Sequence, residues 1–210
     1  MTESADLLNN LLAGNKELCS NIIQDKLKTG IPIKKLYEDT LKTALYKVGE
    51  LWEFNKISVA TEHLASAIVE AILNEVYNDI VSGEKNQKSV IVSCVEQEFH
   101  RIGIKMVSDI FEMNGWNSYF LGANTPTSEL LSFAEIIKPD IFAISLSIYF
   151  HLPMLETMIT ETRKKFPDIP ILVGGQAFSK GGQDVFAKYN NVIYLPDLDS
   201  VDLYIKKNLS

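Results

Sequence analysis

From residue 89 onward, five short apolar runs alternate with four amphipathic stretches, and no other feature constrains the fold as tightly. The runs are SVIVSC (89–94), NSYFL (117–121), DIFAISL (140–146), IPILVG (169–174) and NVIYL (191–195). Each has the length of a buried strand, whereas 101–114, 128–137, 153–166 and 181–188 carry apolar residues at helical spacing. Strands that alternate with helices close through right-handed crossovers. The expected product is an α/β domain, a Rossmann-like (flavodoxin-like) parallel sheet covered on both faces.

The first 83 residues have a different character: apolar residues recur with helical period and β-branched runs are absent. Helices are expected over 4–13, 15–29, 32–52 and 58–81. Gly14 and Gly30 stand at helix stops, Pro32 in a first turn, and Ser82-Gly83 after the last helix. Four helices with short connections form an antiparallel four-helix bundle. The polar stretch GEKNQK (83–88) lacks periodicity and reads as a linker. The expected domains are therefore a helical bundle cap over 1–83, a linker over 84–88 and the Rossmann-like domain over 89–210, and a length of 210 residues suits two small domains.

Charge excludes one class of function. Twenty Lys and Arg against 27 Asp and Glu leave a net charge of −7, which repels a phosphate backbone, so direct nucleic-acid binding is not expected. The opening MTESADLLNN lacks the basic and apolar segments of a secretory signal, and no run approaches the roughly 18 apolar residues of a membrane span. A cytoplasmic protein without membrane contact is expected, with Cys19 and Cys94 as reduced thiols in no CxxC spacing.

Open parallel sheets bind ligands beyond the carboxyl ends of their strands, where strand order reverses. The loops placed there are Glu98-Phe99-His100-Arg101-Ile102-Gly103 after the first strand, Ser145-Leu146-Ser147 after the third and Gly174-Gly175 after the fourth. A lone loop histidine is more often a surface residue than a ligand. Glu98, two residues before His100, changes that weighing, because metal-bound imidazoles usually donate their second N–H to a carboxylate. Ser145 either extends such a network or closes a strand end. A glycine pair after a strand is mostly a turn, and also a place where backbone or ligand can pass without a Cβ in the way.

Taken together, the spacings resemble a known family. Glu-x-His-x-x-Gly, 41 residues from Ile104 to Ile144, Ser-x-Ser, 26 residues from Ile148 to Val173 and Gly-Gly resemble the cobalamin-binding domain family, whose pattern is Asp-x-His-x-x-Gly, Ser-x-Leu and Gly-Gly at closely similar separations. The match covers essentially all of 89–210. The resemblance implies a cobalamin bound with its nucleotide tail displaced and His100 as the axial cobalt ligand. It makes Glu98 and Ser145 the imidazole's supports, and places Arg101, Ile102, Gly103, Ser147, Gly174 and Gly175 along the cofactor. Glu98 stands where the family usually has Asp, and Ser147 where it has Leu.

The helical half adds a second resemblance. Trp52, Glu62 and His63 form Trp-x9-Glu-His within LWEFNKISVATEHLASAIVE, similar to the cap of light-sensing adenosylcobalamin proteins, where these residues cover the upper face of the corrin and the adenosyl group. Without that likeness, Trp52 reads as core packing and Glu62-His63 as a helix start. Some of those photoreceptors carry His directly after the Trp, where this chain has Glu53. They also often begin with a MerR-type DNA-binding domain, while this sequence opens on the bundle, so any gene control is expected to run through a partner protein. The reading that follows is a non-enzymatic adenosylcobalamin sensor, light-responsive, with a change in self-association or partner binding as its output. The alternative is a corrinoid carrier that uses methylcobalamin and partners a methyltransferase.

Overall fold

Helical periodicity in the first half becomes α1 (Glu3–Leu12), α2 (Lys16–Lys28), a rod built from α3 (Ile33–Leu36), a π-helical segment (Tyr37–Lys42) and α4 (Thr43–Glu53), and then α5 (Val59–Ile80). The structure, a computed structural model, describes residues 3–80 and 85–208. The helix stop expected at Ser82-Gly83 and the first linker residue, Glu84, lie outside the described residues. By contact the chain divides into two compact units, Met1–Val81 and Ser82–Ser210.

In the first unit α1 packs on α2, α4 and α5, and α5 also packs on α2 and α4. The stripe that drives this is plain on α5, where Ala65, Ile68, Val69, Ile72, Leu73 and Val76 are buried at spacings of three and four residues. Leu7, Leu11, Cys19, Ile23, Leu36, Tyr37 and Leu41 complete the core. Gly14 turns the chain between α1 and α2 at φ 74°, and a Cβ there would lie 2.9 Å from Leu64 Cδ2. The third helix, expected as one uninterrupted element, instead carries the π segment, which buries Tyr37, Thr40 and Leu41.

The second unit runs β1 (Ser89–Cys94), α6 (Ile102–Met113), β2 (Asn117–Gly122), α7 (Thr127–Ile137), β3 (Ile141–Ser145), α8 (Leu152–Lys165), β4 (Ile171–Gly174), β5 (Val192–Tyr194) and α9 (Leu198–Lys207). The five strands form one sheet in the order β2-β1-β3-β4-β5, and every neighbouring pair is parallel. Strand order reverses between β1 and β3. Register places Cys94 opposite Ser145 and Ser145 opposite Gly174, so the carboxyl ends of β1, β3 and β4 stand level. Nearly every residue of β1 and all of β3 are buried, as central strands covered on both faces require.

Two elements differ from the pattern read in the sequence. Residues 181–188, expected as a helix, instead begin with Gly181 (φ 106°) and Gly182 (φ 89°), which separate a short 3-10 stretch before them, Gln176–Lys180, from a second, Gln183–Lys188. Two consecutive glycines in the left-handed region cannot continue a helix, and the six residues after them suffice to bury Val185 and Phe186. The sequence reading also passed over α9. Its start is signalled by Asp197, whose carboxylate accepts from Ser200 N–H at 2.7 Å, and its buried Leu198, Val201 and Ile205 recur at helical spacing. Helix α9 packs on α6, and Asn114 Nδ2 donates to Asp202 Oδ1 at 3.0 Å.

At the exits of β3 and β4 the backbones cross closely. Leu146 N–H donates to Gly174 O at 2.9 Å and Ala177 N–H to Leu146 O at 3.2 Å. Gly175 passes over this clamp at φ 120°, where an added Cβ would fall 2.2 Å from Leu146 O. Gly103, in the first turn of α6, has nothing within 4 Å of such a Cβ. Urea unfolding should therefore separate the two: Gly175→Ala should cost about 1–3 kcal/mol or more through unavoidable overlap. Gly103→Ala should be neutral or stabilising by about 0.4–1 kcal/mol.

Candidate functional site

The chain leaves β1 in a loop stitched down at each step. Val95 N–H donates to Ser145 O at 3.0 Å, Gln97 turns the backbone at φ 67°, and Glu98 N–H returns to Val95 O at 2.9 Å. Asn124, after β2, donates its N–H to Glu98 O at 3.0 Å and accepts from Gln97 N–H through Oδ1 at 3.2 Å. Glu96 fixes the start of α7, accepting from Thr127 N–H at 3.0 Å and Thr127 Oγ1 at 2.8 Å. This path turns the Glu98 side chain fully inward and leaves that of His100 about half exposed (48%).

Glu98 is the hub. Its Oε1 pairs with His100 Nδ1 and accepts from the N–H groups of Phe99 (3.0 Å) and His100 (3.1 Å). Its Oε2 accepts from Ile148 N–H at 2.9 Å and from Ser147 N–H at 3.3 Å, across the switch point in the loop after β3. Burial by itself pushes this carboxyl up. The hydrogen bond from His100, those from the Ile148 and His100 amides and the charge of His100 outweigh burial and hold it at about 2 instead of 4.5. A carboxylate that stays ionised while buried commits His100 Nδ1 as a donor and leaves Nε2 as the nitrogen suited to bind a metal.

Ser145 does not join this hub among the described hydrogen bonds. It is buried as the last residue of β3, and its hydroxyl donates to the thiol of its register partner Cys94 at 3.8 Å. Burial pushes the Cys94 thiol up to about 12, and its Sγ lies 3.6 Å from His100 O, which makes it a packing group under the loop. Ser147 contributes its main-chain N–H, which donates to Glu98 Oε2. Arg101 and Gly103 are exposed at the start of α6, and Ile102 is half-buried. The chain's own backbone accounts for Gly174 and Gly175: a Cβ on Gly174 would stand 2.7 Å from Leu195 O, and Gly175 is pressed on Leu146.

Four features of this rim escaped the sequence reading. Phe99 (68%), Tyr149 (41%) and Phe150 (91%) expose large aromatic surfaces, and His151 Nδ1 lies 3.4 Å from Glu98 Oε2. Exposed aromatics clustered in loops at a switch point were the signal available. Among the described residues no group of three or more His, Cys, Asp or Glu could hold a metal ion. One imidazole suits a metal that arrives with its other ligands already in place.

Within the first unit, Trp52 lies in the last turn of α4, and Glu62 and His63 in the first turns of α5. Because α4 and α5 pack as a hairpin, all three fall at the same end of the bundle. Trp52 is 44% exposed, so it is not a core residue. Glu62 Oε1 accepts from Ser66 Oγ at 2.8 Å, and its Oε2 lies 3.5 Å from Nε2 of the exposed His63.

Residues 88–195 match a family model described as B12 binding domain, and residues 4–77 match a second with the same description. The chain is 26% identical over 156 residues to the HTH-type transcriptional repressor CarH of Myxococcus xanthus, covering 74% of this chain and 52% of that relative. It is 22% identical over 134 residues to Trimethylamine corrinoid protein 1 of Methanosarcina acetivorans, covering 62% of each. With 52% and 41% coverage of the two repressors, CarH and CarA, the chain spans about half their length. The solved monomethylamine corrinoid protein of Methanosarcina barkeri shares the fold, with TM-score 0.81 over 96% of each chain at 13% identity. No helix among the described residues is long and apolar enough to cross a membrane.

The ionised Glu98 makes a prediction for the unloaded protein. A carboxyl whose folded pKa is depressed contributes stability in full above its ordinary pKa of 4.5 and loses it as pH falls toward about 2. Urea midpoints measured from pH 5 to pH 3 should therefore fall more steeply for the wild type than for Glu98→Gln.

Proposed function

The chain belongs to the family described as B12 binding domain, and we propose that it holds cobalamin with His100 Nε2 as the lower cobalt ligand and serves as a non-enzymatic, light-responsive adenosylcobalamin sensor. The observation that carries the lower-ligand assignment is the buried, ionised Glu98 paired with Nδ1 of a half-exposed imidazole at the switch point. The surroundings fit a large, partly apolar ring system. Phe99, Tyr149 and Phe150 supply exposed aromatic surface, and Gly103 leaves open space at the start of α6. Arg101, Ile102, Ser147, Gly174 and Gly175 complete the proposed contact set along the cofactor. Ser145 supports it indirectly, through Cys94.

We assign Trp52, Glu62 and His63 to the cofactor's upper side. An exposed indole can shield an organic upper ligand, while the carboxylate and imidazole offer polar contacts to ribose or adenine. Bound adenosylcobalamin supplies a photolabile cobalt–carbon bond. What the chain adds is differential contact: a state with adenosyl packed on Trp52 and Glu62 differs in free energy from one without it, and only such a difference can shift a population. Moving the chain from mostly one state to mostly the other needs about 5 kcal/mol, within reach of a buried aromatic contact with polar partners. The output is then a change in self-association or in binding to a partner protein. The net charge of −7 argues against direct nucleic-acid contact by this chain.

A second reading keeps the same lower site and makes the chain a methyl carrier for a methyltransferase. The likeness to Trimethylamine corrinoid protein 1, which extends over 62% of that relative, favours it. Selectivity separates the two. A sensor should bind adenosylcobalamin more tightly than methylcobalamin, and Trp52→Ala should erode the preference; equal affinities in the unmutated protein would favour the carrier. In either case His100→Ala should shift the visible spectrum of the loaded protein and weaken binding. Green light applied to the adenosylcobalamin form should change its elution on size exclusion or its partner binding. A photobleached protein of unchanged mass, shape and association would not be a light sensor.

A further inference from the structure

Resting on the assignment of His100 as lower ligand, we propose that His151 is a positioning residue of the same site, acting through Glu98 so that two imidazoles share one buried carboxylate. His151 lies in the 3-10 turn Tyr149–His151 that leads into α8, outside the spacing pattern that singled out His100. Its Nδ1 is buried and has no hydrogen-bond partner, yet it stands 3.4 Å from Glu98 Oε2. A polar ring atom shut away from water beside a buried carboxylate oxygen is a donor without its bond.

Glu98 Oε2 can take that bond in place of its weaker contact, the long one from Ser147. Oε1 is crowded by His100 Nδ1 and two amides, whereas Oε2 accepts one good amide bond, from Ile148 at 2.9 Å, and one long bond, from Ser147 at 3.3 Å. Each carboxylate oxygen offers about two lone-pair directions. Closing His151 Nδ1–H on Oε2 from 3.4 Å to about 2.8 Å, the usual length of a charge-assisted bond, requires an approach of about 0.6 Å. With an imidazole on each oxygen the carboxylate cannot rotate about Cγ–Cδ, and Oε1 stays in register with the His100 ring. His151 therefore sets the orientation of His100 without touching it.

The test compares the wild type with His151→Leu, His151→Asn, Glu98→Gln and the Glu98→Gln/His151→Leu double variant. Each is titrated with adenosylcobalamin, reading affinity and the visible band that reports histidine ligation. Removing a direct outer partner of a metal-bound histidine costs about 10- to 100-fold, and His151 lies one bond further out, so His151→Leu should weaken binding about 3- to 10-fold. Asn, whose Nδ2 occupies the place of Nδ1, should restore it. In the Glu98→Gln background the Leu substitution should have no further effect, as expected of residues acting in series. Wild-type affinity in His151→Leu, failure of Asn to rescue, or a Leu effect that persists without Glu98 overturns the proposal. Nitrogen-15 spectra of unloaded protein provide a readout independent of cobalamin: His151 should be the Nδ1-protonated tautomer, with a shift that responds to Glu98→Gln. The opposite tautomer overturns the proposal. Indistinguishable cobalamin binding by wild type and His100→Ala would overturn the lower-ligand assignment instead, and would leave the nitrogen-15 result to decide the His151–Glu98 pair.

Discussion

One buried carboxylate holds the functional end of the sheet together. Glu98 sits on the loop after β1, but half its acceptor capacity is taken by main-chain N–H groups from the loop after β3, on the other side of the point where strand order reverses. A crevice at a switch point is otherwise a gap between two independently connected loops. Bridging it with an ionised group makes the width of the crevice a property of the fold. The same group is wholly buried, and the donors around it outweigh the upward push of burial on its carboxyl, which keeps the anchor for His100 Nδ1.

The sheet and the helical half were legible because both depend on periodicity, which one sequence displays directly. The central strands are continuous apolar runs because both their faces are covered, and the bundle's stripe recurs every three or four residues. Departures arose where periodicity is not the deciding quantity. Val185 and Phe186 are spaced like a short helix, but Gly181-Gly182 dictates 3-10 geometry. Helix α9 is the exception: it follows a β5 of only three residues, yet it carried both a cap signal at Asp197 and Ser200 and buried Leu198, Val201 and Ile205 at helical spacing.

At the site, sequence logic reached the Glu98–His100 contact, since two residues apart on one loop is a local relation. It did not reach the long-range partners. Whether Ser145 meets Glu98 or Cys94 depends on strand register, and register sets it opposite the thiol. The donors that do reach Glu98 from the β3 side are backbone amides, which leave no signature in residue identity. The glycines divide in the same way. Gly174 and Gly175 are required by neighbouring backbone, and Gly103 is not, although all three belong to one motif.

The stitching of the loop after β1 also bears on kinetics. Its restraints are main-chain bonds from Val95, Gln97 and Glu98 to Ser145, Asn124 and the loop itself, so its ordering entropy belongs to folding and not to ligand capture. For any ligand that seats on a rim prepared in this way, discrimination between closely related occupants would be expressed mainly in how long each one stays.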